Sequence, residues 1–291
     1  MEILQSDLSI KEDKQRFNFI YETHFIMRLN KKWSLLFLAL FFIITGMSCR
    51  RTKIDVNDSF EVSRLNHIWT MDRMELHSYE IQSKIFRKGK RAAKITLITG
   101  DIVEPATDKD KATERDELIE NSSLFSIEDN KYEYQFSMFL PETFPIVPVR
   151  LVIAQWKQYC SGCACSEYSP ILAIRYVSGK LFITLQTDSV RQTLYELKDE
   201  IRNRWLDFKF QIRFSRQSNG EVTAYLNEKK IIDYKGMTSY SESCGFLSKK
   251  NRYYFKMGLY RDRMPEPMSI FIDEYGKKEM TVANEQLTIP K

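Results

Sequence analysis

The sequence predicts an all-β domain, built as a two-sheet sandwich or jelly roll. Three observations carry that expectation. In its 291 residues, 15 Tyr and 19 Phe outnumber 10 Gly and 8 Pro, a balance that suits strands. Apolar and polar residues alternate with period two over stretches such as Tyr132–Met138 and Phe208–Phe214, the pattern of half-buried antiparallel strands. Ser178-Gly179 and Asn219-Gly220 separate pairs of such stretches, as hairpin turns do. At 43% hydrophobic and 29% charged, the chain has the composition of a folded globular protein and not of a disordered one. Its net charge of +5 comes without a long block of one sign, which argues against a nucleic-acid partner.

The N-terminus reads as an address. Trp33–Met47 is the long apolar run, preceded by Arg28, Lys31 and Lys32 and followed by Ser48-Cys49. It falls short of the roughly 20 apolar residues that a stable spanning helix needs. A basic segment, a short apolar run and small residues ahead of a cysteine look like a bacterial lipoprotein signal, with Cys49 taking the lipid after cleavage. A plain secretion signal and a single-pass anchor are the alternatives. The expected division is 1–26 as an over-extended N-terminus, 27–48 as the lipoprotein signal peptide, 49–59 as a tether, and 60–291 as one domain. On that division the protein is exported, periplasmic or on the cell surface, and held to a membrane at Cys49. Residues 49–291 keep a net charge of +4, which suits an anionic polymer.

Within 60–291 the elements follow in order. Arg115-Asp116-Glu117-Leu118 places Arg115 and Glu117 two apart, on one face of a strand. Tyr132–Met138 ends before Pro141. In Ala154-Gln155-Trp156-Lys157, Gln155 and Lys157 point one way and Trp156 the other. Ile171–Val177 and Leu181–Thr187 form one expected hairpin, and Phe208–Phe214 and Val222–Leu226 a second. Arg191–Arg204 between them is the helical candidate, with a charged loop as its alternative. In Tyr253–Arg261, Lys256, Gly258 and Tyr260 share a face opposite Phe255, Met257 and Leu259. Gly258 there leaves a gap where a ligand can approach the backbone.

Common catalytic signatures are absent: there is no HExxH, GxSxG, Walker loop or GxGxxG, and residues 49–291 hold two histidines, His67 and His77. Each polar segment taken alone is an ordinary amphipathic strand. Together they offer one amide, two lysines, arginines and a tyrosine. In the order RDEL, FSMFLP, VIAQWK and YYFKMGLYRD they resemble jelly-roll polysaccharide lyases of the heparin lyase I and glucuronan lyase group, over Phe60 to Lys278. The resemblance implies a concanavalin-like β-jelly roll, two antiparallel sheets of which one binds a uronic-acid polymer and cleaves it by β-elimination.

That chemistry asks for donors that neutralise the uronate carboxylate, a base for the C5 proton and an acid for the leaving oxygen. The resemblance assigns catalytic roles to Tyr260, Lys157, Gln155 and Arg115. Arg115 and Gln155 face the carboxylate, and Tyr260 takes the family's acid/base position. Lys256, Glu117 and Arg261 are the substrate-binding candidates, with Glu117 orienting Arg115. If Tyr260 is the base, Lys256 and Arg261 are the cations expected to stabilise its phenolate. The family's QWH becomes QWK, with Lys157 in place of histidine. A lysine is ordinarily protonated at neutral pH, so three outcomes stay open. Lys157 is desolvated into a base, or it stays charged and binds the carboxylate while Tyr260 serves as base and acid, or the site binds glycan without cleaving it.

Cys160, Cys163, Cys165 and Cys244 flank two of these segments. They offer a disulfide, a metal site or free thiols, and the close Cys163–Cys165 spacing favours a bridge from Cys244 into the cluster. The chemistry requires no cofactor; a structural calcium is implied only by relatives of the fold. Arg175 is expected to be a solvated strand arginine, and Trp69 and Trp205 core residues in preference to sugar platforms. A glycoside hydrolase would need a second facing carboxylate beside Glu117, and none is evident. The expected partner is an anionic polysaccharide, acted on by a monomer.

Overall fold

The computed structural model describes residues 53–101, 112–159, 169–188, 191–242 and 250–280. Sixteen strands among them, numbered along the chain, form two antiparallel sheets of eight. The first runs β14 (Lys229–Lys235), β13 (Glu221–Leu226), β12 (Trp205–Arg213), β7 (Lys131–Phe139), β16 (Met268–Glu279), β4 (Ala92–Leu97), β3 (Tyr79–Gln82), with β1 (Asp55–Asp58) added to β16. The second runs β11 (Arg191–Leu197), β10 (Lys180–Gln186), β9 (Leu172–Val177), β8 (Leu151–Tyr159), β15 (Arg252–Asp262), β5 (Thr113–Glu120), β2 (Trp69–Arg73), with β6 (Ser126–Ile127) added to β15. The chain changes sheet eight times, at β1–β2, β2–β3, β4–β5, β6–β7, β7–β8, β11–β12, β14–β15 and β15–β16, so many neighbours in space are distant in sequence. This is the all-β sandwich that the alternation predicts.

The core is aromatic. Trp156 of β8 is fully buried, its ring 4.7 Å from Phe210 of β12 and 4.8 Å from Phe255 of β15. Each such ring taken from water contributes roughly 2–3 kcal/mol. Charges are buried too. Lys277 of β16 pairs with Glu120 of β5 at 2.9 Å, and Glu120 also accepts from the Tyr275 hydroxyl at 2.6 Å. That pair ties the two sheets together, and one partner without the other would be strongly destabilising.

Two expectations on local structure change. Arg191–Leu197 is not helical but the edge strand β11, paired with Leu181–Gln186 of β10. Its charges are solvated along a sheet edge, the way sandwiches blunt exposed strands. The Ser178-Gly179 hairpin has positive φ at both residues, 50° and 82°, as a two-residue turn matching strand twist requires. The second hairpin closes through a longer connection, 214–220, in which Ser215 Oγ bonds Asn219 at 2.7 Å.

Candidate active site

Three separate segments of the sequence meet on the outward face of the second sheet. β5 pairs with β15 so that Arg115 stands opposite Tyr260 and Glu117 opposite Gly258. On the other side of β15, Gln155 stands opposite Lys256 and Lys157 opposite Tyr254. The face is outward yet recessed: Glu117 is 0% exposed, Gln155 2%, Lys256 5% and Arg115 9%.

Glu117 is the hub. It accepts a hydrogen bond from Gln155 Nε2, and its other oxygen lies 3.6 Å from Arg115 Nη1 and 3.8 Å from Lys256 Nζ. One buried carboxylate thus orients the amide and both cations that the sequence singled out. Tyr260 is half-buried between two guanidiniums. Arg115 lies over its ring at 4.3 Å from the centroid and Arg150 at 5.0 Å. Arg150 is itself held by Asp262 through Nε and Nη2 at 3.0 and 2.6 Å. Burial acts to lower the Arg150 pKa, but hydrogen bonds to Asp262 and Tyr260 prevail and raise it. Cations outnumber carboxylates on this face, which suits a polyanion.

Arg150 does not follow from alternation counted back from Gln155. A bulge between Val152 and Ala154 shifts the register of β8, so that Val152 faces outward with Gln155 and Arg150 follows it. Beyond β8, β9 continues the surface with Ala173 beside Gln155 and Arg175 beside Val152.

Gly258 plays a different part from the one expected. Its φ is +148°, and a Cβ there would sit 2.2 Å from the Asp116 carbonyl oxygen and 2.7 Å from Glu117 Cα. The missing side chain makes room for the β5 backbone, not for a ligand. Gly258→Ala is therefore expected to destabilise the domain by roughly 2–4 kcal/mol and to disturb the Arg115–Tyr260 row, measurable by thermal denaturation.

Beneath the site, Asp116 points inward. Burial raises its pKa to about 7, with Asp101 adding to the rise, while the Glu75 backbone N–H (2.8 Å) and Ser78 oppose it. The folded state thus keeps a proton that the unfolded chain releases near pH 4. Stability therefore falls as pH rises from about 4 to 7 and levels off above that. Asp116→Asn is expected to flatten this slope and to be the more stable protein above pH 7 by roughly 1–3 kcal/mol, measured by denaturant unfolding across pH.

The remaining candidates separate. Lys157 is half-buried on the outward face, but Tyr254 and Tyr260 are six residues apart, so its backbone sits roughly 20 Å along β15 from that of Tyr260. Arg261 does not belong to the site. It is fully buried on the opposite face of β15, where it pairs with Glu114 at 3.0 Å and donates to the carbonyls of Glu266 and Met264. Neighbouring strand residues face opposite ways, so Tyr260 outward sends Arg261 inward. Arg175 is not solvated but 7% exposed. Trp69 is buried against Tyr275 at 4.5 Å, and Trp205 packs on Phe139 at 5.5 Å. Cys49, Cys160, Cys163, Cys165 and Cys244 lie outside the described residues. Among the described residues no group of His, Cys, Asp and Glu is arranged to hold a metal ion. A hollow of about 530 Å³ beside Gln82, Lys84 and Arg91 lies on the first sheet, away from this chemistry.

An outward polar face with arginine, amide and tyrosine on three strands of a β-sandwich is the candidate active site. The family model described as polysaccharide lyase matches residues 60–276. The chain belongs to the polysaccharide lyase family and is an enzyme of that class. Its fold is shared with the endo-β-1,4-glucuronan lyase from the fungus Trichoderma reesei, at 15% identity and a TM-score of 0.60, covering 79% of this chain and 96% of that one. It is shared too with alginate lyase A1-II′, a member of polysaccharide lyase family 7, at 14% identity and a TM-score of 0.51, covering 72% and 86%. No curated protein matches the chain by sequence.

Proposed function

We propose that this lyase cleaves a uronic-acid polymer, glucuronan-like or glycosaminoglycan-like, by β-elimination, with Tyr260 as both base and acid. The observation that carries this is the Arg115–Tyr260 row, guanidinium over ring at 4.3 Å on adjacent strands. Elimination removes the weakly acidic C5 proton beside the carboxylate, and negative charge builds on that carboxylate as the proton leaves. Donors already fixed in place lower the barrier to that charge. Arg115 offers a planar fork matched to two oxygens, and Gln155 an amide N–H beyond the one given to Glu117.

Tyr260 enters as phenolate and takes the C5 proton. The C–H electron pair becomes the C4–C5 double bond, the bond from C4 to the glycosidic oxygen breaks, and the same proton passes from Tyr260 to the departing oxygen. No water is consumed, and the phenolate is regenerated. Two guanidiniums beside the ring place positive charge where this cycle needs it. Lys157, set apart along the strand, stays charged and binds a carboxylate of the polymer in place of acting as base. Glucuronan, the polymer named for the fungal lyase of this fold, belongs to the same substrate class.

The test is a panel of glucuronan, alginate, ulvan, heparin, heparan sulfate, hyaluronan and chondroitin, followed by ultraviolet absorbance of the unsaturated product. A rise on at least one is expected. Retained binding with no product on any would make this a glycan-binding member of the family. The basic segment, apolar run and cysteine at 28–49 support export and lipid anchoring. Cys49→Ala is expected to move the protein from the membrane fraction to the soluble one.

A further inference from the structure

Among the described residues Arg175 is a buried cation with no carboxylate paired to it, and it donates from Nε to Thr184 Oγ1 of β10 at 3.0 Å. Its charged neighbours are mainly cations. Burial first, then Arg191 and Arg150, pull its pKa down to about 10, so it remains charged at neutral pH. A desolvated guanidinium left unpaired is costly, and a sheet tolerates it where an anion completes the site.

The register says where that anion sits. Arg115, Tyr260, Val152 and Arg175 form one row across β5, β15, β8 and β9. Strands lie about 4.8 Å apart, so Arg175 stands roughly 10 Å from Tyr260 at the backbone. The two side chains are close enough for their charges to interact. Val152 lies between them in the row, and Ala173, beside Gln155 and Thr184, is the small residue next to Arg175 on the same face of β9. Arg191, bonded through Nε to Gln186 at 3.0 Å, extends the positive surface outward.

We propose that Arg175 binds an anionic group on a sugar neighbouring the cleaved uronate, so that the enzyme selects polymers charged at every residue over those that alternate uronate with a neutral sugar. This rests on the uronate-lyase assignment above and adds to it the charge pattern of the substrate.

The test compares wild type, Arg175→Gln and Arg175→Lys on polyglucuronate, charged at every sugar, and on unsulfated hyaluronan, charged at alternate ones. Loss of a charged hydrogen-bond donor predicts that Arg175→Gln lowers kcat/KM on polyglucuronate by about 10–100-fold, mainly through KM. The loss on hyaluronan should be smaller by about tenfold, and Arg175→Lys should restore most of the preference. Equal losses on both polymers, or none, would overturn the proposal. Affinity electrophoresis of the same three proteins in gels carrying each polymer gives the second readout. Should wild type cleave neither polymer, the uronate-lyase assignment fails on these substrates. The retardation pattern still decides Arg175: a selective loss with polyglucuronate upholds its role, and unchanged selectivity refutes it.

Discussion

Replacing Tyr260 by phenylalanine is expected to lower kcat by about 10³-fold or more and to leave polymer binding nearly intact. A positioned acid or base is worth about 10²–10⁴-fold, and here one hydroxyl is asked to do both jobs. The substitution removes one oxygen and keeps the ring over which Arg115 and Arg150 lie. The stacking therefore persists, and binding measured by affinity electrophoresis should change little. A variant keeping a tenth of wild-type turnover would show that another group moves the proton. Lys157 would then be the residue to examine, in spite of its distance along the strand.

Glu117→Gln should damage the site and the fold together. The carboxylate is fully buried and is shared by Gln155, Arg115 and Lys256. A neutral amide takes a buried negative charge away from two nearly buried cations, a change that costs about 3 kcal/mol or more. For a domain of this size that is a fall of roughly 6–12 °C in Tm. Turnover should drop by about 10²-fold, because Arg115 and Gln155 lose the group that aims them at the carboxylate. The signature is a loss of activity that persists well below the lowered Tm. Full activity at low temperature would mean that Glu117 serves stability alone.

Much of this site could be read from the sequence because strand alternation is a local rule. Period two alone placed Gln155 with Lys157, Arg115 with Glu117, and Lys256 with Tyr260, each pair on one face. The same rule applied strictly would have excluded Arg261, since it adjoins Tyr260. Other features were out of reach for physical reasons. The bulge at Val152–Ala154 resets which residues of β8 face outward, and nothing local announces it, so alternation does not mark Arg150. Strand order depends on contacts far apart in sequence, so the row joining Arg115, Tyr260 and Arg175 appears only in three dimensions. Arg191–Leu197 has the charge density of a solvated helix, and only its pairing with β10 makes it a strand. Alternation marks Gly258 as a gap on the outward face, and only the pairing of β5 with β15 shows that the β5 backbone fills it.

The most direct measurement is the mass and ultraviolet absorbance of the fragments released from whichever uronate polymer the wild-type enzyme shortens. Elimination through Tyr260 predicts new non-reducing ends that are lighter than a hydrolytic end by one water and that absorb in the ultraviolet. Fragments that have gained a water at each cut and do not absorb would contradict it.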